Sequence, residues 1–433
     1  MIPPGLVDRA RRAARPEVFG QVRRMVGLRL EIVGLQAAIG EFVAVAMPGS
    51  DLLAEVVAFD NDALVCLPLG RLEGMRRHLF ARVLPGGLSI AVGGELRGRV
   101  LDGLGQPLDG RALPLGLDRV GLVMAPPQPL SRQAVTEVLP LGVKVLDTLL
   151  TCGRGQRLGI FAGSGVGKST LLSMLTRGTK ADVSVIALVG ERGREAEEFV
   201  HAQLGDEGLA RCVVVIATSD QPALVRLTAA RTATRIAEWF RDEGNDVLLL
   251  MDSLTRFAMA QREVGLAAGE PPTTRGYPPS TFSVLAGLLE RAGQGERGSI
   301  TGLYTVLVEG DDLDEPISDA ARSILDGHVV LSRSLAARGH FPSVDVLSSI
   351  SRLASSLQDR DQNGVARRAR RLLALYEENR DLIEVGAYRP GASPDLDEAI
   401  ERGPALLGAL TQASGVVTGS GEAWRELQGA VGP

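Results

Sequence analysis

The stretch Ala162-Gly163-Ser164-Gly165-Val166-Gly167-Lys168-Ser169-Thr170 has the residue types and spacing of a phosphate-binding loop. Its glycines let successive backbone N–H groups turn onto phosphate oxygens, Lys168 reaches the terminal phosphates, and the Ser169 hydroxyl suits Mg²⁺. An apolar run from Leu158 to Phe161 enters the loop, and a helix-like run from Leu171 to Leu175 leaves it. That helix points its N-terminus at the same anion. The strict pattern asks for glycine at position 162, so the match is to the relaxed form.

Two acids directly follow apolar runs, where an open parallel sheet gathers its ligands. Val247 to Met251 ends in Asp252, a carboxylate in place to bind Mg²⁺, although an Asp capping the next helix has the same sequence. Val183 to Val189 leads into Gly190-Glu191-Arg192-Gly193-Arg194-Glu195. Glu191 is expected to enter the cleft from the strand beside the phosphate loop and to orient an attacking water. A salt-bridged loop is the alternative, since Arg192, Arg194, Glu195, Glu197 and Glu198 crowd together.

The elements that must position these groups are readable as buried strands at 157–161, 183–189, 212–217, 247–251, 299–307 and 328–331. Between two of them Val225, Ala229, Ala233, Ile236 and Phe240 form one apolar helical stripe. Such alternation predicts a mostly parallel α/β sheet. Upstream, short β-like runs broken by turn residues from 18 to 93 predict a small β-barrel. Residues 99–110 read as a turn-rich linker, and helices replace strands from 361 to 433. The predicted divisions are a basic arm at 1–17, the barrel at 18–93, an α/β core at 94–360 and a helical unit at 361–433.

Composition excludes several classes. The net charge is −5 with both signs mixed along the chain, which argues against a protein that coats nucleic acid. Cys66, Cys152 and Cys212 are too few and too scattered for a disulfide framework or a zinc site, which fits a reducing cytosol. No apolar run approaches the roughly 18 residues that span a bilayer. Lys144, Lys168 and Lys180 are the only lysines among 47 basic residues, and one of them sits in the loop. Arg367, Arg368, Arg370 and Arg371 line one predicted helix face, either solvated or turned to a partner or acidic lipid.

Beyond these single features, Gly190 to Glu195, Asp252-Ser253-Leu254-Thr255-Arg256-Phe257, the run from Gly265 to Arg291, Val308 to Asp312 and Ile324 to His328 resemble the type III export ATPases. These are relatives of the rotary ATP synthase catalytic subunit. The resemblance covers nearly the whole chain and is most specific from about 140 to 357. Glu270 to Pro279 is more similar to the flagellar branch than to the virulence branch. The resemblance implies a RecA-like core, ATP and Mg²⁺, with Glu191 as the base. It places Arg192 and Arg256 near the γ-phosphate and Glu195 in the Mg²⁺ shell.

The resemblance also makes Arg352 similar to an arginine finger entering a neighbour's site, and puts Phe341 against the adenine. Without it, Arg352 is an ordinary surface arginine and Phe341 a core residue beside Pro342. It further implies a homohexamer located in the cytoplasm and peripherally at the inner membrane. The implied partners are a regulatory stator-like protein, a central stalk, export chaperones and substrates, and a membrane export gate, with no nucleic acid. A rotary catalytic subunit would carry an acidic lever that residues 361–433 lack. An RNA translocase would want more aromatics in its barrel than Phe19, Phe42, Phe59 and Phe80. Intact Lys168, Glu191 and Asp252 count against a non-catalytic scaffold.

Overall fold

The computed structural model describes residues 17–128, 130, 132–308, 310 and 312–432. The basic arm with Arg9, Arg11, Arg12 and Arg15 lies outside the described residues, as do Glu309 and Asp311. Strands β1 (Gly20–Val26), β2 (Arg29–Val33), β3 (Phe42–Val45), β4 (Leu52–Asp60), β5 (Ala63–Pro68) and β6 (Phe80–Val83) close an antiparallel barrel in the order β1-β2-β5-β4-β3-β6. Closure removes the sheet edges that short strands otherwise expose. Leu30, Ile32, Val43, Val45, Val56 and Cys66 fill its interior. Strand β7 (Ser89–Val92) leaves the barrel and pairs with β9 (Asp118–Gly121).

The core is one large sheet containing β8 (Arg99–Asp102), β10 (Arg157–Ala162), β11 (Val183–Val189), β12 (Cys212–Ala217), β13 (Asp246–Asp252), β14 (Gly293–Gln294), β15 (Ser299–Leu307), β16 (Gly327–Leu331) and β17 (Val344–Ser351). Their order is β17-β16-β10-β15-β13-β11-β12-β8, with β14 attached to β15. All are parallel except β14 and β17. The segment read as a linker therefore supplies an edge strand, β8, bonded to β12. Four residues between Gly98 and Gly103 are too short for the alternation to stand out.

Both sheet faces are covered, which is why the strands are apolar throughout. Along β11, Val183, Val185, Ala187 and Val189 face helix α3 (Ala223–Asp242), while Ile186 and Leu188 face α1 (Lys168–Gly178). The predicted stripe Val225, Ala229, Ala233, Ile236 and Phe240 is buried along α3. Helices α2 (Gly193–Glu198), α4 (Leu254–Ala268), α6 (Pro316–Ile324) and α7 (Arg333–Ala337) follow strands of the core, and α5 (Pro279–Leu289) comes after α4. Helices α8 (Arg360–Glu378), α9 (Pro394–Leu410) and α10 (Ser420–Val431) extend the α1 side. The arginine face of α8 is engaged within the molecule. Arg370 donates to the carbonyls of Leu149 and Val346, Arg368 pairs with Glu398, and Arg371 pairs with Asp395.

Candidate active site

The carboxyl ends of β16, β10, β15, β13 and β11 open into one cleft of about 630 Å³. That volume is in the range of small-molecule sites. Ala162, Gly163, Ser164, Gly165, Gly167, Lys168, Ser169 and Thr170 line it from the loop between β10 and α1. Gly165 and Gly167 have φ of 77° and 91°, left-handed values that turn the loop around the anion position and that side chains disfavour. Val166 is buried beneath the loop and anchors it through its carbonyl, which accepts the Ser343 hydroxyl at 2.6 Å.

Lys168 extends from the first turn of α1 to the carboxylates beyond it. Its Nζ lies 2.5 Å from Asp252 Oδ1 and 3.5 Å from Glu191 Oε1. Asp252 ends β13, is buried, and also accepts the Thr305 hydroxyl at 2.6 Å. Glu191 follows β11 after Gly190, whose φ of 73° and packing on Arg256 leave no room for a side chain. Two strands, β15 and β13, stand between β11 and β10, so Glu191 does not come from the strand beside the loop. Parallel strands consecutive in sequence need not be neighbours in the sheet. The gap of three strand spacings, about 14 Å, is bridged by side chains converging from both ends.

Glu191 Oε1 is buried, with Lys168 in ion-pair range but outside hydrogen-bond geometry. Burial, then the nearby Asp252 charge, pushes the Glu191 carboxyl up to about 7, against the opposing pull of Lys168. An orphaned, proton-hungry carboxylate oxygen facing a cleft is what a water-polarising base requires. Arg256 also lines the cleft, its Nε buried without an acceptor in the protein. Arg192 and Glu195 sit at the rim, 3.4 Å apart and largely exposed.

The oxygen donors on hand are the Ser169 hydroxyl and the Asp252 and Glu195 carboxylates. They suit Mg²⁺, which is commonly held by one or two protein oxygens together with substrate phosphates and water. The described residues contain no cluster of three or more His, Cys, Asp or Glu that would build an all-protein cage.

Phe341 lies outside the residues that line the cleft. Its ring sits 3.6 Å from where a Cβ on Gly167 would be, and it is 44% exposed. Arg352 is far from this cleft. It follows β17, which runs antiparallel to β16, and its N–H donates to Asp326 beside the first residue of β10. About 17 Å of strand separates that level from the phosphate loop.

The match to known proteins has the same layout. Residues 142–351 match the ATP synthase alpha/beta family, nucleotide-binding domain, and residues 358–429 match the T3SS EscN ATPase C-terminal domain. The flagellum-specific ATP synthase of Bacillus subtilis (strain 168) is 50% identical over 399 residues, 92% of this chain and 91% of that one. The chain belongs to the flagellar and type III secretion ATPases. The type 3 secretion system ATPase of Xanthomonas euvesicatoria is also 50% identical, over 91% of this chain and 90% of that one. The structure of the assembled ATPase EscN from the enteropathogenic E. coli type III secretion system superimposes with a TM-score of 0.91 at 44% identity, covering 95% of this chain and 100% of that one. EscN in complex with its central stalk EscO gives 0.89 at 43% identity, with the same coverage.

This ATPase also lines its cleft with Arg333, which the sequence reading missed. Arg333 follows β16 after Ser332, at a carboxyl strand end like Glu191 and Asp252. The rule that found the acids applied equally to this cation. Phe199 and Leu188 supply an apolar wall that no motif marks.

Proposed function

We propose that this ATPase is the Mg²⁺-dependent ATPase of a bacterial flagellar protein-export apparatus and works as a homohexameric ring. The observation that carries the reading is a divided site. Lys168, Glu191, Asp252 and Arg256 converge on one cleft, while Arg352 stands at the far end of the same sheet.

In this reading the N–H groups of Gly163 to Thr170 and the Lys168 ammonium take the β- and γ-phosphates of ATP. Ser169 and Asp252 hold Mg²⁺, with Glu195 beside them. Bound there, Mg²⁺ neutralises charge on the transferred phosphoryl oxygens. Glu191 orients a water in line with the γ-phosphorus and draws on its proton. Arg256 and Arg192 face the γ-phosphate, and Phe341 offers its ring to the base. Arg352 of the adjoining protomer completes the site, a contribution worth roughly 10³ to 10⁵ in rate for arginine fingers.

The working division is a barrel at 18–93, an ATPase core at 94–360 and a helical unit at 361–433. A stator-like regulator gripping the arm at 1–17, a central stalk, export chaperones with their substrates and a membrane gate are the partners. The stalk has support in EscN, which was solved with its stalk EscO. The reading puts the ring in the cytoplasm, peripherally at the inner membrane. Virulence-type secretion is the second reading, favoured by the equal identity to the Xanthomonas enzyme. Co-purification separates the two by the chaperone recovered.

Glu191→Gln tests the chemistry. ATP binding is expected to persist while turnover falls by about 10²-fold or more. Undiminished turnover removes Glu191 from the mechanism.

A further inference from the structure

Gln412 follows α9 and is buried, with its backbone N–H and both ends of its side-chain amide engaged. Its backbone N–H donates to the Phe341 carbonyl at 2.8 Å. Its Oε1 accepts the Lys144 N–H at 2.8 Å, and its Nε2 donates to the carbonyls of Gly142 at 2.8 Å and Val416 at 2.7 Å. Thr418 N–H adds a second bond to the Gly142 carbonyl, and Thr411 Oγ1 meets His340 Nδ1 at 3.2 Å.

These contacts grip both ends of α1. Phe341 lies against Gly167, immediately before the helix. Gly142 lies against Gly178, the last residue of the helix, so closely that a Cβ on Gly142 would come within 2.6 Å of the Gly178 Cα. The Gln412 side chain fixes its own backbone on the 142–144 segment, and that backbone fixes Phe341. One acceptor and a two-bond donor on a single side chain suit an amide. A glutamate would set a carboxylate against two carbonyl oxygens, and an apolar side chain would leave the Gly142 and Lys144 groups short of a partner.

We infer that Gln412 is a positioning residue for nucleotide binding. It holds Phe341 at the height above the phosphate loop where a base can stack, and so makes affinity for the base depend on docking of the helical unit. The inference rests on the reading of Phe341 as the base platform, and the test separates the two.

Binding of ADP and of pyrophosphate to the full chain, with Mg²⁺, is measured by calorimetry for Gln412→Met, Phe341→Ala and the double variant. Gln412→Met keeps the side-chain length and removes the hydrogen bonds. ADP is expected to weaken about three- to tenfold in each single variant, the worth of a lost aromatic stack. Pyrophosphate, which has no base, is expected to change less than twofold. The double variant is expected to be no weaker than Phe341→Ala alone. Equal weakening of ADP and pyrophosphate in Gln412→Met overturns the inference, because it marks a general structural defect. So does an unchanged ADP affinity in Gln412→Met when Phe341→Ala weakens it. Unchanged ADP affinity in Phe341→Ala overturns the platform reading, and the inference with it. Should Gln412→Met fail to fold, Gln412→Asn, which keeps the amide on a side chain one methylene shorter, takes its place in the same comparison.

Discussion

At the scale of single residues, the cleft balances one ammonium against two carboxylates. Lys168 is held closely by Asp252, and Glu191, one ångström further away, keeps an oxygen without a hydrogen bond. That difference sets a pH dependence. Because burial and the Asp252 charge raise the Glu191 carboxyl to about 7, it gains a proton as pH falls through neutrality, and as the proposed base it would then lose its capacity to polarise water. kcat/KM, which reports the free enzyme, is therefore expected to rise with pH along a limb centred near 7. A limb at the ordinary glutamate position, about 4.3, contradicts the role. The acids were legible because each ends an apolar run, a position where the chain must turn toward the ligand. Arg256 was legible only through family resemblance, since its stem lies in α4 and its direction depends on the glycine at 190. The pairing of Thr305 with Asp252 joins neighbouring strands β15 and β13, far apart in sequence, and leaves no trace in local sequence.

At the scale of elements, strands with both faces covered have limits that composition alone reveals, and Val183–Val189 is the clearest case. Neighbour order is another matter. It depends on which crossover helices fit on each face, so β11 was expected beside β10 and instead lies three places away. A second unmarked feature fastens α3 to the segment after α5. Glu238 and Arg291 form a buried two-pronged ion pair at 2.7 and 2.8 Å. Removing one partner strands the other charge away from water. Glu238→Ala is therefore expected to cost about 3 kcal/mol or more of stability, read as a lower midpoint in urea. A change within about 0.5 kcal/mol, the range of ordinary surface substitutions, would show that water reaches Arg291.

At the scale of the whole molecule, the phosphate loop and Arg352 occupy opposite ends of one sheet, beyond each other's reach within a protomer. Specific activity is expected to rise with protein concentration as protomers meet, and a flat profile through dilution to the monomer argues against shared sites. In the proposed ring the same separation would make every junction directional, with one protomer offering the loop and the next offering the arginine. Two inactive variants should then repair one another. Lys168→Ala spoils a protomer's own cleft but leaves its arginine sound, whereas Arg352→Ala does the reverse. Dissociated and mixed in equal amounts, they are expected to form about one intact junction in four by random assortment. Assembly from two dead populations would thus recover turnover that neither has alone.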